Sequence, residues 1–110
     1  MNYFEIKPDG QAYIRTDSGT VLRKVGNGEA VNHADFDKDE TLFVITYNSG
    51  KSEVRDRKNN LIKIIAEEGV KEAFWRKYYI ENEERKQSKS APKEYILLIM
   101  KNGENRIIEY

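Results

Sequence analysis

The sequence predicts an all-β fold of nine to eleven short antiparallel strands, on three observations. Turn-forming clusters recur at close, fairly even intervals, at Pro8-Asp9-Gly10, Asp17-Ser18-Gly19, Gly26-Asn27-Gly28, Asn48-Ser49-Gly50, Asn59-Asn60, Glu68-Gly69 and Asn102-Gly103. Between them lie runs of four to six residues rich in β-branched and aromatic side chains, the pattern of a hairpin meander. Leu, Ile, Val and Phe make up 26 of 110 residues, above the roughly 20% below which a chain rarely buries enough apolar surface to fold.

Taken in order, strands are expected at Tyr3–Ile6, ahead of the turn at Gly10; at Ala12–Thr16, ahead of that at Gly19; and at Val21–Val25, ending on Gly26. Val31–Phe36 and Leu42–Tyr47 follow, the latter closed by Gly50, then Ser52–Arg55, Leu61–Ile65, Tyr95–Met100 before Gly103, and Arg106–Tyr110. Leu42–Ile45 and Tyr95–Met100 are unbroken apolar runs, which predicts that both faces of these two strands are covered. The stretch 67–88 admits a single helix, because it is rich in helix formers and Val70, Ala73, Phe74 and Tyr78 recur at helical spacing. It also alternates as a strand, with Phe74, Arg76, Tyr78 and Ile80 on one side and Trp75, Lys77 and Tyr79 on the other, and its aromatic content favours the strand locally. Residues 82–93 have no apolar anchor apart from Ala91 and are expected to form a mobile loop.

At 110 residues the chain is sized for a single domain, 1–110. Lys plus Arg (19) balances Asp plus Glu (19), while charged residues make up 35% of the chain against about 25% in an average domain. Neutrality argues against a general polyanion binder, so nucleic acid is not an expected partner. Cysteine is absent, which excludes a disulfide framework, a thiolate metal site and a thiol nucleophile. The first residues lack the basic-then-apolar run of an export signal, and the longest apolar run is far shorter than the about 20 residues that span a bilayer. A cytoplasmic protein without membrane association is expected.

Internal repetition is the most informative pattern, with units expected at about 3–30, 31–69 and 70–110. Aligning Asp9 with Asp39 gives a period of about 30, sets Thr16 on Thr46 and brings Gly19 within one residue of Gly50. The third unit starts at Val70, with Ala73-Phe74 in the place of Ala34-Asp35-Phe36. It resumes at Tyr95, where Ile99 to Gly103 echoes Ile45 to Gly50, and the polar loop is its extra length. The segment 31–65, with Ala34-x-Phe36, Asp39, Leu42-Phe43-Val44-Ile45, Gly50-Lys51-x-Glu53-Val54-Arg55-Asp56 and Leu61-Ile62-x-Ile64, resembles one blade of a β-propeller of the WD-repeat-like kind. The other two units are degenerate versions of it. The resemblance implies four-stranded antiparallel sheets packed radially. Arg55-Asp56 stands where the family has Trp-Asp, and the Gly-His pair near a blade's start is missing. Two and a half blades of about 40 residues are too few for a closed ring. The resemblance therefore implies an open propeller fragment or a small sandwich or barrel, with homo-oligomers covering faces that a soluble monomer seldom exposes.

Asp35, Asp37, Asp39 and Glu40 open like a calcium loop, but Glu40 and Thr46 stand where that loop needs Gly and a carboxylate. A hairpin turn capped by Asp side chains is expected instead. His33 is the only histidine and is expected to share a strand face with Asp35, yet no serine has a nucleophile-elbow context. Gly26-Asn27-Gly28 lacks the later glycine of a dinucleotide fingerprint. No catalytic residue, metal or cofactor is assigned, and the chain is not expected to be an enzyme. The most suggestive cluster is Phe74 to Tyr79, from which Trp75, Arg76, Lys77, Tyr78 and Tyr79 are the candidate interaction residues. Aromatic and Arg side chains anchor protein interfaces, and aromatics interleaved with bases can also stack nucleobases or sugars; alternatively one side of the segment packs in the core. The expected function is a non-catalytic protein interaction or assembly module, with a protein partner or itself. The alternative is a ligand-binding module for sugars or single-stranded nucleic acid on residues 74–79.

Overall fold

Five hairpin turns close in one way. Lys7, Thr16, Tyr47, Asp56 and Met100 each donate the backbone N–H to the carbonyl four residues on and accept, at their own carbonyl, the N–H of the residue three on. That third residue is left-handed in every case: Gly10, Gly19, Gly50, Asn59 and Gly103. Glycine reaches this conformation without steric penalty, so the glycines in the turn clusters set where each strand reverses.

The computed structural model describes residues 1–78 and 93–110, and over these the chain is all-β: ten strands and no helix. β1 (Tyr3–Ile6), β2 (Ala12–Arg15) and β3 (Val21–Val25) form an N-terminal sheet; β4 (Val31–Phe36), β5 (Leu42–Tyr47), β6 (Ser52–Asp56) and β7 (Leu61–Ala66) form a central one. β8 (Val70–Tyr78), β9 (Lys93–Met100) and β10 (Asn105–Glu109) form a C-terminal sheet, and every pairing is an antiparallel meander. The three sheets span residues 3–25, 31–66 and 70–109. The helix expected within 67–88 does not form over 70–78, which pair with β9 instead. Alternation places Ala73 and Trp75 in a sheet core, and that burial outweighs the helix propensity of the segment. Residues 67–69 are not helical either, while residues 79–88 of that stretch, and the loop expected over 82–93 apart from Lys93, lie outside the described residues.

The sheets stack face on face through two cores. Phe43, Ile45 and Tyr47 of β5 pack with Ala12, Ile14, Val25 and Val31 toward the N-terminal sheet. Val44 and Val54 pack with Val70, Ala73, Trp75, Ile96, Leu98 and Met100 toward the C-terminal sheet. β5 thus lies between two apolar layers, which is why its apolar run is unbroken. The same expectation fails for β9: Ile96, Leu98 and Met100 are buried, while Tyr95, Leu97 and Ile99 are only half-buried, because no fourth layer covers them among the described residues.

The junctions between sheets repeat bond for bond. Val31 N–H donates to Gly10 O as Val70 N–H does to Gly50 O, and Asn48 N–H donates to Ala30 O as Lys101 N–H does to Gly69 O. β4 and β8 also carry the same bulge, one residue after Val31 and after Val70. Val31 and Val70 are therefore equivalent, as the sequence suggested, and so are Gly10, Gly50 and Gly103. This corrects the expected period of about 30: Gly10 and Gly50 are 40 residues apart (10 to 50). β1 is the counterpart of β5, not of β4, so aligning the first strands of the two units slips the register by one whole strand. Among the described residues the N-terminal sheet has no counterpart of β4, and the C-terminal sheet none of β7.

Candidate functional site

The pleat of β8 divides the aromatic–basic segment. Trp75 faces the central sheet and is only 6% exposed, its ring edge-on to Tyr110 with centroids 5.1 Å apart. Arg76 points to the opposite side, where its guanidinium lies 4.7 Å over the Phe74 ring and donates to Trp75 O at 3.0 Å. Lys77 is exposed, opposite Glu94 in the register. Tyr78 ends the strand opposite Lys93, and Tyr79 lies outside the described residues. The candidates therefore do not share one surface. Trp75 is a core side chain, and a base or sugar could stack on it only by opening the core; Phe74 under Arg76 is the aromatic face nearer solvent.

The surroundings of Trp75 are set by β4. Ala34 and Phe36 turn into the N-terminal core, so His33 and Asp35 turn to the other side and meet β8, sharing a face as the two-residue spacing requires. His33 lies 4.6 Å from the Phe74 ring. Asp35 accepts the Trp75 backbone N–H at 2.9 Å, and Asn32 donates its side-chain amide to Lys71 O at 2.7 Å. Burial pushes the Asp35 carboxyl above its ordinary range, against the opposing pull of that hydrogen bond and of His33 and Arg76. His33 Nδ1 and Trp75 Nε1 are buried without a hydrogen-bond partner among the described residues.

Two clefts meet at the end of β4. One of about 170 Å³ is lined by Asp35, Asp37, Trp75, Arg76, Lys77 and Glu94. The other, about 400 Å³, lies between β1 and β4, lined by Tyr3, Phe4, Ala34, Phe36, Lys38 and Glu40. Asp37 caps the turn as expected, accepting from Thr41 N–H and Leu42 N–H through Oδ1 and from the Thr41 hydroxyl through Oδ2. Among the described residues no three His, Asp or Glu side chains are placed to hold a metal ion.

The outer faces of the stack differ. On the N-terminal sheet Arg15 pairs with Glu5 at 2.9 Å and Lys7 lies 5.0 Å over the Tyr13 ring. On the C-terminal sheet, Phe74, Leu97 and Ile107 form one cross-strand row beside Ile99, and Ile107 is 65% exposed. By the junction equivalence, Leu97 is the counterpart of Val44, which the C-terminal sheet buries completely.

A buried polar group went unmarked in the sequence. Glu53, 2% exposed, accepts from the Tyr47 hydroxyl and from Arg55 Nε. Its signal was present: Glu53 and Arg55 are two apart in a strand and stand opposite Ile45 and Phe43 on the face that looks into the N-terminal core. No protein-family model matches the chain, and the curated proteins compared with it show no significant similarity.

Proposed function

We propose that this chain is a non-catalytic protein interaction and assembly module, an open array of propeller-blade-like sheets that associates through the outer face of its C-terminal sheet. The observation that carries the proposal is the contrast between the two ends of the stack. The N-terminal sheet presents paired charges outward, which flank the exposed Tyr3 and Val21 on the same face, as the capping unit of a repeat array does. The C-terminal sheet presents the row Phe74, Leu97 and Ile107, in which Leu97 and Ile107 stand where the central sheet has the core residues Val44 and Val54, and Phe74 where it has Asp35. Along β8 that face reads Glu72, Phe74, Arg76. Two copies meeting with β8 antiparallel bring Glu72 of each against Arg76 of the other across the aromatic pair, and zero net charge adds no long-range repulsion. A homo-oligomer in the cytoplasm is the corresponding state; no helix among the described residues is long and apolar enough to cross a membrane.

Sedimentation velocity over a concentration series tests the proposal. The wild type is expected to associate with rising concentration, and Ile107→Glu, at an already exposed position, to remain monomeric with an unchanged circular dichroism spectrum. A wild type that stays monomeric at the highest concentration, or an Ile107→Glu variant that associates like wild type, overturns it. Binding of a sugar or oligonucleotide array without self-association would favour the ligand-binding alternative on 74–79.

A further inference from the structure

We propose that the free edge of β1, with the cleft between β1 and β4, receives an extended segment of a protein partner as an added strand. The inference deepens the assembly function and rests on it, but uses a different surface. Among the described residues the N-terminal sheet has counterparts of β5, β6 and β7 and none of β4, the strand that heads the central sheet. The hydrogen-bond phase shows what that absence leaves. Lys7 N–H bonds to Gln11 O, so in the alternating ladder Tyr3 and Glu5 exchange bonds with β2, while Phe4 and Ile6 turn their N–H and C=O groups away from it. The counterparts of Phe4 and Ile6 in β5 are Val44 and Thr46, which pair there with Asp35 and His33 of β4. On the β1 edge, among the described residues, Asn2 N–H alone is taken, by Glu40 Oε1 at 3.2 Å.

The opposite wall of the cleft states the chemistry of the occupant. Where β4 precedes β8, its side chains cap the β8 edge: Asp35 takes Trp75 N–H and Asn32 reaches Lys71 O. The equivalent groups on β4 itself, Phe36 N–H and Asn32 C=O, have no hydrogen-bond partner among the described residues. A strand lying in the cleft of about 400 Å³ would answer both walls at once. Its backbone would pair with Phe4 and Ile6, and an Asn and an Asp three residues further on would cap β4. The partner segment is therefore one with the pattern of β4, an apolar residue, then Asn, then any one residue, then Ala-Asp-aromatic, added by β-augmentation. A second folded copy has no such strand to spare, since its own β4 and β8 are paired.

The probe is a synthetic peptide with the sequence of residues 30–37, titrated into the full ¹⁵N-labelled chain. Expected are amide shift changes at Phe4, Ile6 and Phe36 and slowed hydrogen exchange at Phe4 and Ile6. Replacing the peptide's capping Asp (the copy of Asp35) by Ala should weaken binding about tenfold, as loss of a charge-assisted hydrogen bond does. N-methylation at the copies of His33 and Asp35, whose N–H groups would face β1, should abolish binding, and N-methylation at the copy of Ala34 should not. No binding at millimolar peptide, shifts confined to the C-terminal sheet, or indifference to the methylation pattern overturns the proposal. If self-association sensitive to Ile107→Glu persists in that event, the slot falls and the assembly function stands; if both are absent, both fall.

Discussion

Asp35 on β4 accepts the backbone N–H of Trp75 on β8 at 2.9 Å, so a side chain of the central sheet caps the free edge of the C-terminal one. Removing the acceptor leaves a donor without its partner, at a cost of about 1–2 kcal/mol, and Asp35→Ala should be destabilised by that amount in urea unfolding. Asp35→Asn keeps an acceptor oxygen without burying charge. Because burial raises the folded carboxyl above its ordinary value of 3.8, the stability it contributes is fully present below that value and is lost as pH rises through the folded one. Relative to Asp35→Asn, wild type should therefore weaken as pH rises through this window and then level off. A flat difference from pH 3 to 8 would contradict the assignment.

The glycines at the equivalent turns differ in how closely the adjoining sheet approaches them. A Cβ on Gly10 would lie 2.5 Å from Ala30 Cβ and one on Gly50 2.7 Å from Gly69 N, whereas at Gly103 nothing among the described residues lies within 4 Å. All three have φ near +90° (88°, 95° and 91°), so alanine at each carries about 1–2 kcal/mol of backbone strain. At Gly10 and Gly50 alanine must also push the adjoining sheet away, adding about 1–3 kcal/mol. Equilibrium unfolding should rank Gly103→Ala as the mildest. Equal losses at the three would mean that the sheet junctions contribute nothing at these turns.

How much of this was legible depends on whether the information is local. The strands and turns were, since glycine position and β-branched runs act within a few residues; β1, β3, β4 and β5 have the expected bounds. The double burial of β5 was legible from its apolar run, but the same pattern on β9 misled, because sequence cannot say whether a further layer exists beyond Leu97 and Ile99. The repeat period was misread because Asp9 and Asp39 both occupy turns, and only the Gly10 and Gly50 junction bonds show which turn matches which. Trp75 was singled out for its chemistry, yet its side of the pleat is decided by Asp35 and the core, both distant in sequence.

Glu53 makes a strong test of polar burial. It holds the Tyr47 hydroxyl and Arg55 Nε in one core, with Arg55 also donating to Asn59 O at 2.7 Å. Glu53→Leu leaves Arg55 buried without its counter-ion and should cost about 3–5 kcal/mol; Glu53→Leu with Arg55→Met removes both charges and should recover most of that. Burial, followed by the bond to Glu53, raises the Tyr47 hydroxyl well above its ordinary value of 10.0. The stability it contributes is present below that value and lost above it. In a spectrophotometric titration Tyr47, identified by difference from Tyr47→Phe, should ionise only well above its ordinary value of 10.0. Early ionisation would show that water reaches the cluster.

Asp56 and Thr16 occupy the same place in equivalent turns, and they hold them with different chemistry. Thr16 Oγ1 accepts Thr20 N–H at 3.1 Å. Asp56 accepts Asn60 N–H and Lys58 N–H through Oδ1, both at 2.9 Å, and the Asn60 side-chain amide through Oδ2 at 3.0 Å. The bonds from Asn60, then that from Lys58, hold the Asp56 carboxyl below its ordinary value of 3.8. Its contribution is therefore complete above that value and is lost as pH falls through the lower, folded one. Asp56→Thr borrows the neutral cap of the first unit and should fold with the same hairpin while losing this part of the acid limb. Thermal unfolding of the two proteins between pH 5 and pH 2 should bring their midpoints together as acid is added. Midpoints that stay parallel over that range would show that the carboxylate's charge adds nothing to the turn.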